Sequence, residues 1–300
     1  NWQWLFLPSL LILALLPLYR KYLEFEPNES PQAFDWIGGS LLASSVALLL
    51  VGATNQTWWC LMASLVAFLF FLARIRTAKA PFIDPKLFVN RSYVVGLLLT
   101  FFIAGIGISL YFLPPILFAQ VHRLESNWIG FAMVPAAIAS SLLGRRGGKL
   151  ADRKGNPFVL TLASGSIMTC FALLSTFTEI SAAWIALFLI LGNVGQSFMQ
   201  IAMSNSVSAT LPADRAGSGM GLFSMTSFVA QGIGSVVYGL AVEHGPTASW
   251  NPLHIGSAGV VFSNLYLVLA VLHAGILFVY RRQFITRNSF VSMKSTANQK

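Results

Sequence analysis

Nine apolar runs, separated by polar segments, divide this 300-residue chain. They fall near residues 2–19, 36–54, 57–75, 92–119, 127–144, 157–178, 182–205, 217–241 and 259–280. Each is close to or longer than the about 20 residues with which a helix crosses a bilayer. Hydrocarbon offers no hydrogen-bond partner to an open backbone, so helix is the only spanning structure for these runs. The pattern predicts an all-α integral membrane protein with nine transmembrane helices.

The basic residues are sorted between the gaps. Of nineteen Lys and Arg, eighteen lie in alternate gaps, and only Arg123 lies in the other set. Cytoplasmic loops retain Lys and Arg, which puts the gaps after the odd-numbered runs on the cytoplasmic side. Seven of the eight Trp (Trp2, Trp4, Trp58, Trp59, Trp128, Trp184 and Trp250) gather at the opposite boundary, as an interfacial aromatic belt does. The N-terminus is then outside and the C-terminus inside, in a topology expected of a multi-pass protein of a bacterial plasma membrane. An odd span count with an external start fits a chain that lacks an odd number of upstream spans.

Two polar stretches on the cytoplasmic side, 20–35 (RKYLEFEPNESPQAFD) and 76–91 (RTAKAPFIDPKLFVNR), read as linkers. They isolate a transmembrane hairpin over 36–75 from one preceding helix over 1–19. Residues 92–280 read as one compact bundle of six spans, and 281–300 as a cytoplasmic tail. The Asn-x-Ser/Thr triplets at Asn28, Asn55 and Asn90 read as chance occurrences.

Composition agrees with the spans. Hydrophobic residues make up 56% of the chain, charged residues 10%, and mean hydropathy is +0.70. Soluble domains carry roughly 25% charged residues. The net charge of +9 does not indicate nucleic acid, because the basic residues sit at helix ends, where they meet anionic lipid. Cys60 and Cys170 lie inside apolar runs, and His122, His244, His254 and His273 show no ligand spacing. Neither a metal nor a cofactor is expected. Nor is an enzyme, for want of a Ser/His/Asp set, paired intramembrane acids or a phosphate-binding loop.

The sharpest local pattern is GGKLADRKG at 147–155, placed in a short cytoplasmic loop between the fifth and sixth runs. Gly148 would let helices approach closely. Asp152 would cap the next helix or pair with an Arg, and Arg153 and Lys154 would face anionic lipid. A turn tagged with positive charge explains the charges but not the spacing of Gly148, Asp152, Arg153 and Gly155.

That stretch resembles the loop motif of the major facilitator superfamily, and most closely its fourteen-helix drug:proton antiporter branch, which includes the tetracycline exporters. NWQWLFLPSL resembles the start of that branch's sixth helix, and PFIDPKLFVNRSYVVG the approach to its C-terminal bundle. VHRLESNWIGFAMVPAAIASSLLGRRGGKLADRKG and RAGSGMGLFSMTSFVAQG agree in order and spacing. The resemblance implies a C-terminal portion without the first five helices. Residues 1–19 would be the last helix of the N-terminal bundle, 36–75 the linker hairpin and 92–280 the C-terminal six-helix bundle. It also implies that Asp152 and Arg153 latch helix ends and bias one access state, with Gly148 and Gly155 shaping the turn. Asn156 and Pro157 depart from the basic residue that usually follows the motif.

Polar residues recur inside two runs. Asn193, Gln196 and Gln200 share one helix face, as do Ser224, Ser227, Gln231 and Ser235. Such stripes line a wet cavity or bond helix to helix. With Tyr111, the residues Asn193, Gln196, Gln200, Ser227 and Gln231 make the candidate substrate cavity. Phe101, Phe102 and Phe112 lie near Tyr111, and Pro114–Pro115 would kink that helix. His273 reads as an interhelical hydrogen-bonder. None of the span interiors contains Asp or Glu. In the tetracycline exporters the position matching Gln231 is acidic, so a carboxylate that couples transport to protons is expected upstream.

The function expected is secondary transport: proton-coupled efflux of a hydrophobic or amphipathic small molecule by alternating access. The expected partners are that molecule, protons and membrane lipid. An uptake symporter of the same superfamily and a non-transporting truncated remnant are the alternatives. By itself the chain is expected not to transport.

Overall fold

A computed structural model describes residues 15–18, 21, 35–78, 80–246 and 248–282, the side chain of Asp214 excepted. Most of the first predicted span, of the linker over 20–35 and of the C-terminal tail lies outside the described residues. Among the described residues the regular structure is helical, with no strand. Helix α1 is Trp36–Thr54 and α2 is Trp58–Thr77. A short 3-10 helix, Pro85–Val89, leads into α3 (Arg91–Gly107) and α4 (Ser109–Gln120). Then follow α5 (Ser126–Lys154), α6 (Asn156–Thr176), α7 (Ala182–Ser208), α8 (Ala216–His244) and α9 (Val260–Tyr280). With α3 and α4 joined, eight helical segments are long and apolar enough to cross a membrane. They coincide with the eight runs predicted from residue 36 onward.

Helix α6 is the spine of the bundle, packed between α7 and α9, while α7 also runs along α5 and α3 pairs with α8. Val159, Leu160, Ala163, Ile167, Phe171 and Leu174 repeat at helical spacing along α6 and are fully buried. Lipid is as apolar as Leu, so close packing at small residues, not removal from water, holds membrane helices together. Gly192 shows this on α7: a Cβ there would lie 2.7 Å from both Cys170 Sγ and a Leu110 methyl. Helices α4, α6 and α7 meet at that point.

The α1–α2 hairpin stands apart from this core. Asp35 caps α1 by accepting from Gly38 N (3.0 Å), and the same oxygen accepts from Arg74 Nε at the end of α2 (3.2 Å). Ser64 Oγ donates to the Ser45 carbonyl (2.8 Å) halfway along the pair. Against the bundle, α1 packs on α8, where a Cβ on Gly232 would meet the Leu50 methyls at 3.0 and 3.1 Å.

Both ends of the bundle are stapled. At the end rich in Lys and Arg, Arg215 pairs with Asp84 (3.5 Å), Asn90 caps α3 and reaches the Thr210 carbonyl (2.7 Å), and Tyr93 donates to the Gly219 carbonyl (2.7 Å). The Asn90 triplet is thus a capping site, consistent with a chance sequon. At the opposite end, Glu179 accepts from Ala258 N (2.6 Å) and Gly259 N (3.0 Å) at the start of α9. Asn251 donates to Ser175 Oγ (2.9 Å), and Asn264 bridges Trp250 N and the Ala248 carbonyl.

Three expectations change. The motif at 147–155 is not a loop: α5 remains helical through Lys154, and Gly155 alone turns the chain, at φ +83°. Polar side chains end a hydropathy signal without ending a helix. The close approach belongs to Gly147, where a Cβ would lie 2.6 Å from the Phe198 ring, whereas Gly148 has nothing within 4 Å. Third, the span expected as one helix over 92–119 is interrupted at Ile108, between α3 and α4 and ahead of the prolines; Pro114 and Pro115 sit inside α4. Tyr238 Oη donates to the Gly105 carbonyl (2.7 Å), the group a continuous helix would offer to Ser109 N. Gly105 and Gly107 add weak helix propensity there.

Candidate functional site

Near the midpoints of α5, α7 and α8, and at the α3–α4 break, the helices leave a cavity of about 500 Å3. Four of the sequence candidates line it: Tyr111, Gln196, Gln200 and Gln231. Ser140 and Ser141 of α5 and Ser197 of α7 join them, with Ala104, Gly107, Ile108 and Ile201 as the apolar wall. None of these side chains carries a formal charge.

The break and a glycine create the space. Gly107 lacks the Cβ that would otherwise overlap the Gln196 amide, so that amide lies directly over the end of α3. On the other side Gly234 packs at the Gly105 carbonyl, where a Cβ would be 2.8 Å away. Helices α3 and α8 therefore touch backbone to backbone beside the cavity, and Tyr238 ties them.

Hydrogen bonding divides the candidates. Asn193 and Ser227, both buried, do not line the cavity: Asn193 Nδ2 donates to the Leu189 carbonyl (2.9 Å) and Ser227 Oγ to the Phe223 carbonyl (3.1 Å). Each is spent on its own helix, four residues back. Gln231 Nε2 also bonds backwards, to the Ser227 carbonyl (3.2 Å), and Ser140 Oγ bonds to the Ala137 carbonyl (3.0 Å). The amides of Gln196 and Gln200 and the hydroxyls of Tyr111, Ser141 and Ser197 form no hydrogen bond with another described residue. Tyr111 is half exposed. The cavity thus offers amide donors, amide acceptors and hydroxyls beside an aromatic ring. Such a wall has the chemistry to hydrogen-bond a small molecule; it holds no nucleophile–base pair, and among the described residues no group of His, Cys, Asp and Glu could hold a metal.

Ser140, Ser141 and Ser197 were missed from sequence because a lone Ser in an apolar helix carries no signal of which face it occupies. His273 is fully buried, yet neither ring nitrogen has a hydrogen-bond partner among the described residues, so the expected interhelical bond is not formed. Cys60 and Cys170 are free thiols. Asp152 and Arg153, at the end of α5, are exposed and make no ion pair among the described residues, and Gly155 follows them at φ +83°.

A second hollow, of about 400 Å3, lies between α3 and α9, with Phe102, Leu272 and Val279 in its wall and no hydrogen-bonding side chain.

Comparison with known proteins bears on what the cavity serves. The profile of the Major Facilitator Superfamily matches residues 1–235. Multidrug resistance protein 3 of Bacillus subtilis is 25% identical over 211 residues, which cover 66% of this chain and 41% of that protein. Riboflavin transporter RibZ of Clostridioides difficile is 30% identical over 152 residues, covering 47% of this chain and 32% of its own length. The uncharacterized MFS-type transporter YfiU of Bacillus subtilis is 26% identical over 193 residues, or 57% and 36%. The chain therefore spans less than half the length of each of these relatives.

Proposed function

Since the chain belongs to the Major Facilitator Superfamily, whose members are transporters and not enzymes, we propose that its cavity is one wall of the substrate site of a proton-coupled exporter. The observation that carries this reading is the set of amides and hydroxyls on three spans, Tyr111, Ser141, Gln196, Ser197 and Gln200, that face the cavity without a hydrogen-bond partner among the described residues. Polar groups there are costly against lipid and are retained where they face a substrate path. Alternating access would come from rocking of the six-span unit α3–α9 against a second bundle, with the site between them. The α1–α2 hairpin would be the insertion that distinguishes fourteen-helix from twelve-helix members. Export of amphipathic molecules accords with the name of the Bacillus multidrug relative, and a planar polar substrate with that of the riboflavin transporter.

The described span interiors contain no Asp or Glu, so a proton-coupling carboxylate would belong to a wall that these helices do not supply. By the sorting of Lys and Arg, the end with Arg145, Lys149 and Arg215 faces the cytoplasm. There Asp152 and Arg153, exposed on the last turn of α5, would latch to the opposing bundle when the cytoplasmic side closes.

The test is flux in membrane vesicles with the protein expressed from its native reading frame. Replacing Gln196 and Gln200 together by Leu should lower proton-driven dye efflux at least tenfold at unchanged protein level. Unchanged efflux would remove the cavity from the transport path. Imposing the pH gradient in either direction separates export from uptake.

A further inference from the structure

The cavity has a chemical bias that goes beyond transport as such. The hydrogen-bonding side chains of its wall are amides and hydroxyls only: the three glutamines, Ser140, Ser141, Ser197 and Tyr111. No Lys, Arg, His, Asp or Glu belongs to the wall, and the residues sit at the depth where lipid surrounds the helices. A solute bearing a net charge would lose hydration there without meeting an opposite charge. A neutral solute with carbonyl and N–H groups meets partners for both, since Gln196 and Gln200 each present an acceptor and two donors, and Gln231 an acceptor and the donor not given to the Ser227 carbonyl. A wall built to hydrogen-bond such groups rejects analogues that leave it unpaired far more strongly than an apolar pocket rejects a misfit. Tyr111, half exposed at the mouth, supplies a ring face for a flat molecule.

We propose that this wall selects planar solutes that carry no net charge and display an amide-type edge, so that the described half of the site discriminates against organic cations. This rests on the reading of the cavity as a substrate site. It also assigns specificity to two residues: Gln200, whose unbonded amide is exposed, and Gln231, which closes the far side on α8.

Three tricyclic probes of one size separate charge from shape: acridone (neutral, lactam-type edge), 9-aminoacridine (a cation at neutral pH) and acridine-9-carboxylate (an anion). Binding of each to the whole chain in lipid nanodiscs would be read by probe fluorescence, with empty nanodiscs subtracted to remove partitioning. Acridone should bind at least tenfold more tightly than either ion, a difference of about 1.4 kcal/mol. Gln200→Leu should weaken acridone at least fivefold. Gln231→Glu should reverse the order, raising affinity for 9-aminoacridine at least tenfold at pH 8 and losing that gain as the new carboxyl protonates on acidification. Equal or tighter binding of the cation by the unmodified chain would overturn the proposed selectivity while leaving a substrate site in place. Failure of all three probes, in protein whose helical circular dichroism is intact, would overturn the substrate site itself and the selectivity with it.

Discussion

The α1–α2 hairpin and the six-span unit α3–α9 are both apolar and helical, yet they are held in different ways. The hairpin is joined by polar contacts, Asp35 to Arg74 and Ser64 to Ser45, and only α1 packs substantially on the bundle, through Leu50 at Gly232. Much of α2 is exposed, including Trp58, Trp59 and Phe70. The six-span unit is joined by close approach at glycines on several helices: Gly192 at the Cys170 and Leu110 side chains, Gly195 at the Ala163 carbonyl, Gly234 at the Gly105 carbonyl; between the two helices of the hairpin Gly52 makes such a contact, on Leu61 and Cys60. Within a membrane, apolar surface alone does not bring helices together, so the positions of the small residues decide which helices form a unit. By that criterion the cavity belongs wholly to the six-span unit, and the hairpin is an attachment to it.

The contrast is broken most severely at Gly192. Gly192→Leu would drive a side chain into the Cys170 and Leu110 side chains, and overpacking of this kind costs about 1–3 kcal/mol. The six-span unit should then fail to give a monodisperse peak in size-exclusion chromatography, or melt far below the unmodified protein.

A much smaller effect is expected at Asp35, and confined to the hairpin. The Gly38 N–H, and with it the Arg74 guanidinium, holds the Asp35 carboxyl below its ordinary value of 3.8 against the opposing effect of burial. Because the folded value is lowered, this contribution to stability is in force above about pH 3.8 and is lost as pH falls through the lowered value. At neutral pH, Asp35→Asn should speed hydrogen exchange in the first turns of α1 and leave α6 and α7 unchanged. Acidification should make the two proteins converge. Faster exchange throughout the bundle would contradict the hairpin's independence.

The spans from Trp36 to Tyr280 were legible in the sequence because lipid forces each long apolar run into a helix. Where the helices end was less legible. The basic residues from Arg145 to Lys154 mark where the hydrocarbon stops, whereas α5 continues to Gly155, the first residue unable to extend it. The site was legible in part for a related reason. Periodicity placed Asn193, Gln196 and Gln200 on one face, but depth along α7 divides them. Asn193 is buried and bonds back to the Leu189 carbonyl, while Gln196 and Gln200 line the cavity. At the break at Ile108, Gly105 and Gly107 weaken the helix locally, but the hydroxyl that takes up the Gly105 carbonyl belongs to Tyr238, 133 positions along the chain, and no local pattern announces it.

That division on α7 gives the most direct test of the account. In a background with Cys60→Ser and Cys170→Ala, Gln200→Cys puts a thiol in the cavity wall, whereas Asn193→Cys puts one two turns away on α7, at a buried position outside the lining. A small hydrophilic methanethiosulfonate should modify the thiol of Gln200→Cys at least tenfold faster than that of Asn193→Cys. Protection of both thiols would mean that no water-filled cavity opens at the middle of these helices, and equal, fast rates would mean that its wall does not divide these two positions.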